Sequence, residues 1–459
     1  MTDAIERFAD HVVSTRYEDI PADAIRAAKI FVLDSLGVGL AGTRAPWVRE
    51  WIGSTQSMTP GEDARVWGTG ERLPAPAAAA LNGYLIHNSE FDCIHEEAVL
   101  HPMAVPFAAL MAEAESRGGA NGGGIDGRTL LRAVILGVDV ACHIGSAVNN
   151  GLRFFRPAVG GGFGAVAAIA AAIRLDRDRL LDAFGLYYAQ AGGTMQAHTE
   201  GSPLLAMQVG FNARNAVTAV RLAEAGIPGL RGTLEGPFGY LKLMEGDYDA
   251  AALTAGLGRV WRIAEVAHKP FPSGRATHGI MDALRELTAE HGFAGAEVAA
   301  VAASVPPLIN HLIGRPPKPG MTQNYARLCG AYASARLLLT GTLGVGDFTD
   351  ATLNDPETLD LAGRIAIAPN GNPDPNALTP VTVEVRLRSG AVVSRTIPVV
   401  YGNPAKPLTR EAHLAKFRTN LAFAAGPVPA ANADTLIAMV DDLETLDDAR
   451  RLVDLVVAV

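Results

Sequence analysis

One basic segment near the middle of the chain, HKPFPSGRATHGIMDAL, groups a lysine, an arginine and two histidines around a Pro-Phe-Pro turn. The prolines fix an extended approach, and a helix is predicted to start at Ser273 or Gly274. Arg275 and His278 then share one face of its first turns, while Lys269 lies just before them. Free N–H groups, the helix dipole and these cations favour a carboxylate there. A boundary turn whose charges merely face water is the alternative interpretation.

Asp282 follows His278 by four residues on the same predicted helix. At that spacing its carboxylate could pair with the imidazole and raise the pKa of His278. Histidine is the side chain whose charge changes most readily near neutral pH. The segment therefore predicts a proton carrier beside an anion-binding turn.

A second segment, NGYLIHNSEFDCIHEEAVLHPMAV, combines three histidines and four acids with apolar residues. His101 precedes Pro102, which ends any helix before it and places the imidazole on a loop or at a helix start. Asp92 and His95 are three residues apart, within hydrogen-bonding reach if the segment is helical. A histidine oriented by a carboxylate is a standard acid/base arrangement. A solvated loop with one core histidine is the alternative interpretation.

The sequence lacks the motifs expected for a metal site, a dinucleotide-binding site or a serine nucleophile. The spacing in HEEAVLH differs from the H-E-x-x-H zinc motif, so no metal site is predicted. The glycines of RFFRPAVGGGFGAV follow no predicted strand, which favours close helix packing over a dinucleotide site. No G-x-S-x-G motif is present.

Two further places could hold an anion or face a pocket. Arg156, beside Pro157, stands at a predicted helix start, where its charge favours an anion. His198, Thr199 and Ser202 lie in a glycine-containing turn before the next helix. Two of these three could point into a pocket, but the sequence alone does not decide whether they do.

The composition describes a folded, acidic chain of 459 residues, of which 49% are apolar, with a net charge of −9. That length exceeds one ordinary core, so two domains are expected. The negative charge disfavours nucleic acid and anionic membranes as partners. A basic pocket for a small anion can still lie inside an acidic shell.

The cysteines and the N-terminus predict the cellular location. Three separated cysteines without C-x-x-C spacing are typical of a reduced, cytoplasmic protein. The first residues carry acids where a signal peptide needs a basic start. The longest uncharged apolar run, residues 161–173, stops at Arg174 and is too short to span a bilayer. The sequence therefore predicts a soluble cytoplasmic protein without a membrane partner.

Hydrophobic periodicity divides the chain into three parts. Residues 1–266 show apolar residues at three- and four-residue spacing, with much alanine and glycine, which predicts closely packed helices. Residues 267–401 predict an α+β unit, with strands near 296–305 and 363–368, a hairpin over 381–399, and helices at 274–291 and 322–340. Residues 402–459 predict helices that rejoin the first part, with Thr409 as an N-cap.

Seven segments, in this order and spacing, make the chain resemble the MmgE/PrpD family. That family includes 2-methylcitrate dehydratase, cis-aconitate decarboxylase and iminodisuccinate epimerase. The segments are LDSLGVGLAG (33–42), LNGYLIHNSEFD (81–92) with LHP (100–102), FRPAVGGGFGAVAAIAAA (155–172), EGSPLLAMQVGFNARNAV (200–217), LEGPFGY (234–240), HKPFPSGRATH (268–278) and YGNPAKPLTREAHLAKF (401–417).

The resemblance implies a mainly α fold, in which a large all-helical domain carries an inserted, smaller α+β lid domain. It also implies a cofactor-free homodimer with the active site in the cleft between the two domains. The implied substrates are small di- or tricarboxylates. The implied chemistry removes, adds or moves a proton next to a carboxylate.

Carried over by position, the resemblance also implies roles for individual residues. His101 falls on the family's active-site histidine, and Glu90 and Asp92 fall on its acidic pair. Lys269 falls on the lysine of the K-P-[YF]-P motif. Arg275 and His278 fall on the basic residues after that motif. Tyr332 aligns loosely with the family's late active-site tyrosine.

The residues and the resemblance together predict two sets of site residues. The predicted catalytic residues are His101, His278, Lys269 and Asp92. The predicted substrate-binding residues are Arg275, Arg156, Glu90, His95, His198, Ser273 and Tyr332.

Two departures from the family pattern weigh against a decarboxylase. Arg156 stands where the family often has a histidine, and residues 204–206, Leu-Leu-Ala, stand where some members have a lysine. Arginine keeps its charge near neutral pH, so Arg156 is predicted to be a carboxylate clamp rather than an acid or base.

The favoured function is a dehydratase-type lyase, with His101 and His278 as the two proton carriers. An isomerase or epimerase and a catalytically weakened carboxylate-binding protein are the alternatives.

Overall fold

The computed structural model describes residues 3–118 and 124–457 of the chain. The first 266 residues are mainly helical, with one short β-ribbon. Their elements are α1 (Ala4–Ser14), α2 (Ala22–Ala41), α3 (Val48–Met58), β1 (Ala64–Arg65), β2 (Arg72–Leu73), α4 (Ala75–His87), α5 (Ala104–Arg117), α6 (Gly127–Ser146), α7 (Arg156–Ile173), α8 (Arg177–Tyr188), α9 (Gln196–Glu200), α10 (Leu204–Glu224) and α11 (Ala252–Ala255).

Small residues let the central helices of this part approach one another closely. A Cβ atom on Gly210 of α10 would lie 2.1 Å from the carbonyl oxygen of Ala80 in α4. A Cβ on Gly137 of α6 would lie 2.8 Å from the carbonyl oxygen of Gly164 in α7. The predicted close helix packing is confirmed at both crossings.

Two of these helices, α6 and α7, are long and apolar enough to cross a membrane by length and composition. Inside the protein, 83% of the apolar window of α6 and 89% of that of α7 are buried. Packing in a protein core accounts for such sequences. Helix α7 begins at Arg156 and is therefore longer than the apolar run 161–173 considered in the sequence.

Residues 271–400 form a compact α+β unit around a four-stranded sheet. Its elements are α12 (Arg275–His291), β3 (Val298–Val305), α13 (Pro307–Ile313), α14 (Gln323–Arg327), α15 (Gly330–Thr340), α16 (Asp350–Leu353), α17 (Pro356–Ala362), β4 (Ile365–Pro369), β5 (Val381–Leu387) and β6 (Val392–Ile397).

The sheet has the order β4-β3-β5-β6, with β3 parallel to β4 and antiparallel to β5. The predicted hairpin is confirmed, because β5 and β6 pair in antiparallel register from Val381 with Ile397 to Arg386 with Val392. Along β5, buried and exposed residues alternate, as a strand with one covered face requires.

The single helix predicted over 322–340 is wrong. Helix α14 ends at Arg327, and α15 starts at Gly330. Between them Cys329 has an extended backbone and forms a β-bridge with Gly314. Tertiary pairing therefore overrides the local helical pattern at this point.

The C-terminal helices α18 (Arg410–Ala422), α19 (Asn432–Asp441) and α20 (Arg451–Asp454) follow the sheet. Thr409 caps α18 as predicted, because its side chain accepts a hydrogen bond from the N–H of Ala412. Both α18 and α19 pack on α2, so the C-terminal helices return to the first part of the chain.

Buried apolar residues form two large clusters. One joins residues 4–266 with residues 417–456 and with Leu328, and the other lies within residues 271–400. The predicted mainly α class is confirmed. The predicted domain boundaries and the action of the smaller unit as a lid stay predictions.

Replacing Gly210 by alanine will destabilise the protein by about 1–3 kcal/mol, because the added methyl overpacks the crossing of α10 with α4. Gly53, an exposed residue inside α3, provides the matched control, because a Cβ atom added there would meet no neighbouring atom within 4 Å. Gly53→Ala should raise the free energy of unfolding by up to about 1 kcal/mol, since alanine is the better helix former. Urea unfolding of both variants measures the difference, and equal effects would contradict the packing argument.

Candidate active site

A cavity lies between the two parts of the chain, and both parts contribute to its wall. Glu90, His101 and His198 line it from the first part, and Gly274 and Arg275 line it from the second. Its free volume is about 70 Å³.

Asp92 is the centre of a buried cluster of charged and titratable groups behind this wall. Its Oδ2 atom lies 3.0 Å from Nδ1 of His87 and 3.2 Å from Nδ1 of His101. Lys269 donates hydrogen bonds to Oε2 of Glu90 at 2.9 Å and to the carbonyl oxygen of Glu90 at 3.0 Å. Its Nζ is 4.0 Å from Oδ1 of Asp92. Two imidazoles, two carboxylates and one ammonium therefore form one connected group.

The backbone after α4 makes this grouping possible. Glu90 has a φ of 51°, in the left-handed region that non-glycine residues adopt infrequently. This turn sends Asp92 back toward His87 at the end of α4. Lys416 of α18 holds the turn from the other side, because its Nζ donates to the carbonyl oxygen of Phe91 at 2.8 Å.

The pKa values of the two imidazoles on Asp92 are shifted in opposite directions. Burial lowers the pKa of His101, and the neighbouring carboxylate of Asp92 only partly offsets that effect. Burial also lowers the pKa of His87, but Asp92 and Glu90 outweigh it, so this pKa is raised. His101 is therefore the neutral imidazole at pH 7. Because Nδ1 of His101 faces Asp92, Nε2 is the nitrogen left for a ligand.

The two carboxylates in the cluster stay ionised. Burial alone would raise their pKa values, but Lys269 and the imidazoles outweigh it. The pKa of Glu90 falls to about 2, and that of Asp92 is lowered well below its ordinary value. A carboxylate that stays charged beside His101 can stabilise the imidazolium formed when this histidine accepts a proton.

Only part of the basic turn before α12 reaches the cavity, as the next residues show. Arg275 lines the cavity, but its nitrogens bond within the protein: Nε to Glu96 at 2.6 Å, Nη1 to the carbonyl of Tyr401 at 2.7 Å, and Nη2 to the carbonyl of Val400 at 3.3 Å. Ser273 does not line the cavity. Its hydroxyl lies 2.7 Å from the hydroxyl of Thr277.

His278 lies beside this turn with both ring nitrogens engaged. Its Nδ1 accepts from Arg275 at 3.3 Å, and its Nε2 donates to the carbonyl of Ser273 at 3.2 Å. Burial, Arg275 and Lys269 hold its pKa well below the ordinary value. The predicted pairing with Asp282 is wrong, because Asp282 accepts from the N–H of Tyr401 instead. His278 does not line the cavity, so its placement does not support a role as proton carrier.

Arg156 is not available as a carboxylate clamp. It is fully buried and bonds bidentately to Glu245, at 3.0 Å from Nε and 3.1 Å from Nη2. Its remaining N–H groups reach the carbonyl oxygens of Ala98 and Asn150. The sequence placed it correctly at the start of α7 but could not show the acid that neutralises it.

Three other predicted residues, His95, Tyr332 and His198, also bond to partners within the protein. His95 pairs with Glu265 at 3.1 Å rather than with Asp92, since residues 88–103 are not helical. Tyr332 donates to the carbonyl of Asp347 at 2.7 Å within the smaller core and does not line the cavity.

His198, which does line the cavity, donates from Nε2 to the carbonyl of Leu312 at 3.2 Å. Burial and the nearby charge of Arg315 lower the pKa of His198 to about 4. This side chain is therefore a second neutral imidazole in the wall.

Two groups of described residues have the spacing to hold a metal ion: His87, Asp92 and His101, and a second group of Asp34, His268 and His413. Each aspartate already has a lysine ammonium nearby. In the second group, Nζ of Lys416 lies 2.7 Å from Asp34, while Lys269 lies 4.0 Å from Asp92. The ammonium groups supply the positive charge that these carboxylates need, so the donor sets fit buried ion networks better than metal sites.

Sequence reasoning missed His87 and the apolar part of the wall. His87 stands in the histidine-rich segment, but only the left-handed turn at Glu90 brings it to Asp92. Twelve of the seventeen wall residues have apolar side chains, and no spacing in the sequence identifies them as one surface. Examples from both parts of the chain are Leu152, Phe155, Leu205, Leu312, Leu328 and Leu378.

Asp92→Asn will lower the pKa of His101 further, because the carboxylate that stabilises its imidazolium is removed. Histidine ring NMR signals followed from pH 4 to pH 8 measure this shift. Glu265→Gln is the matched control, since Glu265 pairs with a different imidazole, that of His95. A His101 midpoint that stays constant or rises in Asp92→Asn would contradict the assignment.

Arg156→Met will cost about 3–5 kcal/mol of stability, because it leaves the carboxylate of Glu245 buried without its partner. Urea unfolding measures the loss. Arg418→Met removes an exposed ion pair with Asp434 and should have no measurable effect. Full stability of Arg156→Met would show that the buried pair is not structural.

Comparisons with known proteins agree with this architecture. The family model of the MmgE/PrpD N-terminal domain matches residues 6–253, and that of the MmgE/PrpD C-terminal domain matches residues 271–444. Cis-aconitate decarboxylase from Aspergillus terreus (strain NIH 2624 / FGSC A1156) is 28% identical over 428 residues, covering 88% of this chain and 86% of that protein.

Cis-aconitate decarboxylase from Homo sapiens is 27% identical over 467 residues, covering 98% and 94% of the two chains. The enzyme of the same name from Mus musculus is 26% identical over 458 residues, covering 96% and 91%. Two family models together match well over half of the sequence, on both sides of the cavity. The chain therefore belongs to the MmgE/PrpD family.

Proposed function

We propose that this protein is a lyase that eliminates water from a small hydroxy acid. The elimination begins with removal of a proton from the carbon next to the carboxylate. The observation that carries the proposal is the neutral imidazole of His101 in the cavity wall, beside the ionised carboxylate of Asp92. A neutral histidine next to a fixed carboxylate is suited to accept a proton.

The reaction begins when Nε2 of His101 takes the proton from the carbon next to the substrate carboxylate. The electron pair of that C–H bond forms the carbon–carbon double bond as the C–O bond on the neighbouring carbon breaks. The leaving hydroxyl takes a proton from the ammonium of Lys269, relayed by the carboxylate of Glu90, which lines the cavity, and departs as water. The site is reset when the proton on His101 passes back to this pair.

Charge develops on the substrate carboxylate as the α-proton leaves. Arg275, the one cation among the described wall residues, lies on the opposite part of the chain from His101. Its N–H groups already bond to Glu96, Tyr401 and Val400, so Arg275 would act on the developing charge through its fixed positive field rather than as a direct partner. Asp92 stabilises the imidazolium of His101 in the same step.

The similarity to cis-aconitate decarboxylases supports a carboxylate lyase in general. Elimination of water is proposed over loss of carbon dioxide because it begins with removal of a proton, for which the neutral His101 is suited. Both reactions need a proton donor, and the Lys269–Glu90 pair could supply it in either case. Cofactor independence and a homodimer, implied by the resemblance, are part of the proposal. So is a cytoplasmic location, predicted from the cysteines and the N-terminal residues.

An epimerase would require a second proton carrier on the opposite face of the same carbon. His198 is the other imidazole among the described wall residues, but its Nε2 donates to Leu312, and Arg315 lies 3.3 Å from its Nδ1. With both nitrogens engaged, His198 supports the epimerase less well than His101 supports elimination.

The protein is expected to convert a hydroxy acid into an alkene, detected by new alkene absorbance in a panel of citrate, methylcitrate, malate, tartrate, iminodisuccinate and aliphatic 3-hydroxy acids. His101→Asn should lower that turnover by more than about a hundredfold, the usual effect of losing a general base. His291→Asn, at the exposed end of α12, is the matched control and should retain activity.

Two results would contradict the proposal. Exchange of substrate hydrogen with heavy water without any alkene would indicate an epimerase instead. Normal turnover in His101→Asn would remove His101 from its role as base.

A further inference from the structure

Two guanidinium groups beside the cavity lack an acidic partner. Arg327 is 5% exposed, and Arg315 is half-buried. Within residues 3–118 and 124–457, neither side chain forms an ion pair with a carboxylate, whereas Arg275 pairs with Glu96. A buried charge without a counterion is costly. The folded protein therefore carries two positive charges that a bound anion would stabilise.

The hydrogen-bonding capacity of both groups is only partly used. In the described part of the chain, Arg327 donates only through Nη1, to the carbonyl of Asn88 at 3.3 Å and to the amide oxygen of Gln323 at 3.4 Å. Its Nε is buried without a partner among these residues, as is Nη1 of Arg315. Arg132, which also pairs with no described acid, differs because all of its side-chain nitrogens donate to main-chain carbonyls. Arg315 and Arg327 therefore keep free donors that a structural arginine lacks.

Aromatic rings rather than carboxylates hold both groups in place. The guanidinium carbon of Arg315 lies 4.9 Å from the ring centre of Tyr325. That of Arg327 lies 4.8 Å from the ring centre of Phe348. Such contacts fix a planar cation without neutralising its charge. Burial lowers the pKa of Arg327 to about 10 and also lowers that of Arg315, and Glu90 offsets only part of this effect. Both groups are still cations at pH 7.

Both arginines adjoin the cavity wall. Arg327 precedes the wall residue Leu328, and its carbonyl oxygen accepts a hydrogen bond from the N–H of Gly274, another wall residue. Nη2 of Arg315 donates at 2.9 Å to the carbonyl oxygen of His198, which lines the cavity from the helical part. An isolated β-bridge joins the two segments that carry the arginines. The two cations therefore flank the same side of the cavity.

We propose that Arg327 and Arg315 determine substrate specificity by binding a carboxylate of the substrate other than the one next to the reacting carbon. This inference rests on the proposed lyase function and names the residues that select its substrate. Neither guanidinium lines the free space itself, so the carboxylate meets them at its edge, beside Leu328. A guanidinium binds a carboxylate through two parallel N–H bonds, and a single carboxylate cannot occupy this position and the reacting position at once. The substrate therefore carries at least two carboxylates.

Two saturated acids with six carbons each isolate the effect of the second carboxylate. They are 4-methylpentanoate, with one carboxylate, and 3-methylglutarate, with two. Neither has a hydroxyl group to eliminate, so calorimetry of the full-length protein measures binding without turnover. The unmodified protein should bind 3-methylglutarate at least about tenfold more tightly than 4-methylpentanoate, the effect of one charged hydrogen-bonded contact. Arg327→Met and Arg315→Met should each remove most of that preference by weakening the binding of 3-methylglutarate.

Lys318→Met is the matched control for the loss of a positive charge. Lys318 is exposed, belongs to the same segment and also lies over Tyr325, with its Nζ 4.7 Å from the ring centre. Water already solvates its ammonium, so Lys318→Met should keep the preference for 3-methylglutarate.

Urea unfolding of the free protein separates ligand binding from a structural role. Arg327→Met should keep or raise the free energy of unfolding, because it removes a buried charge that has no counterion. A marked loss of stability in this variant together with an unchanged preference for 3-methylglutarate would assign Arg327 a structural role and overturn the inference.

Equal affinity of the unmodified protein for the two acids would also overturn the inference. Retention of the preference in both arginine variants would do the same, and Arg315→Met gives this result whether or not Arg327→Met folds. These outcomes are separate from the fate of the lyase proposal. Loss of the preference in the arginine variants without conversion of any hydroxy acid would retain the binding position and reject the lyase. Alkene formation that depends on His101 but not on the arginines would do the reverse.

Discussion

The carboxylate of Asp92 is the group on which the site depends. It is buried, and a lone charge in such surroundings would be very costly. Contacts with His87, His101 and Lys269 make its ionised form stable. The same contacts shift the pKa values of the two imidazoles in opposite directions, upward for His87 and downward for His101, and His101 is the one that lines the cavity.

A second buried network supports the first one. Asp34 of α2 pairs with Lys416 of α18 at 2.7 Å and with His268 at 2.9 Å. Lys416 also holds the main chain at Phe91, and His268 immediately precedes Lys269. The N-terminal and C-terminal helices thus fix both halves of the site, although they lie far apart in sequence. Removing the C-terminal helices would take away the Lys416 contact with the loop that carries Glu90 and Asp92.

Local sequence patterns predicted the elements well but predicted the contacts between them poorly. The alternation in VTVEVRL identified β5, and the Pro-Ser-Gly pattern placed the start of α12 within two residues. Partners such as Glu245 for Arg156 and Glu265 for His95 lie many residues away, so no local spacing could reveal them. The resemblance brought His101, Asp92, Glu90 and Lys269 together, but it gave no indication that apolar side chains dominate the wall.

The small size of the cavity has a kinetic consequence. The cavity lies between two separately packed cores, so movement of one core relative to the other is the way this fold offers to admit a ligand larger than the free space. Opening would expose apolar wall to water, and closing would cover that surface again. The frequency of such opening would set an upper limit on how fast substrate enters and product leaves.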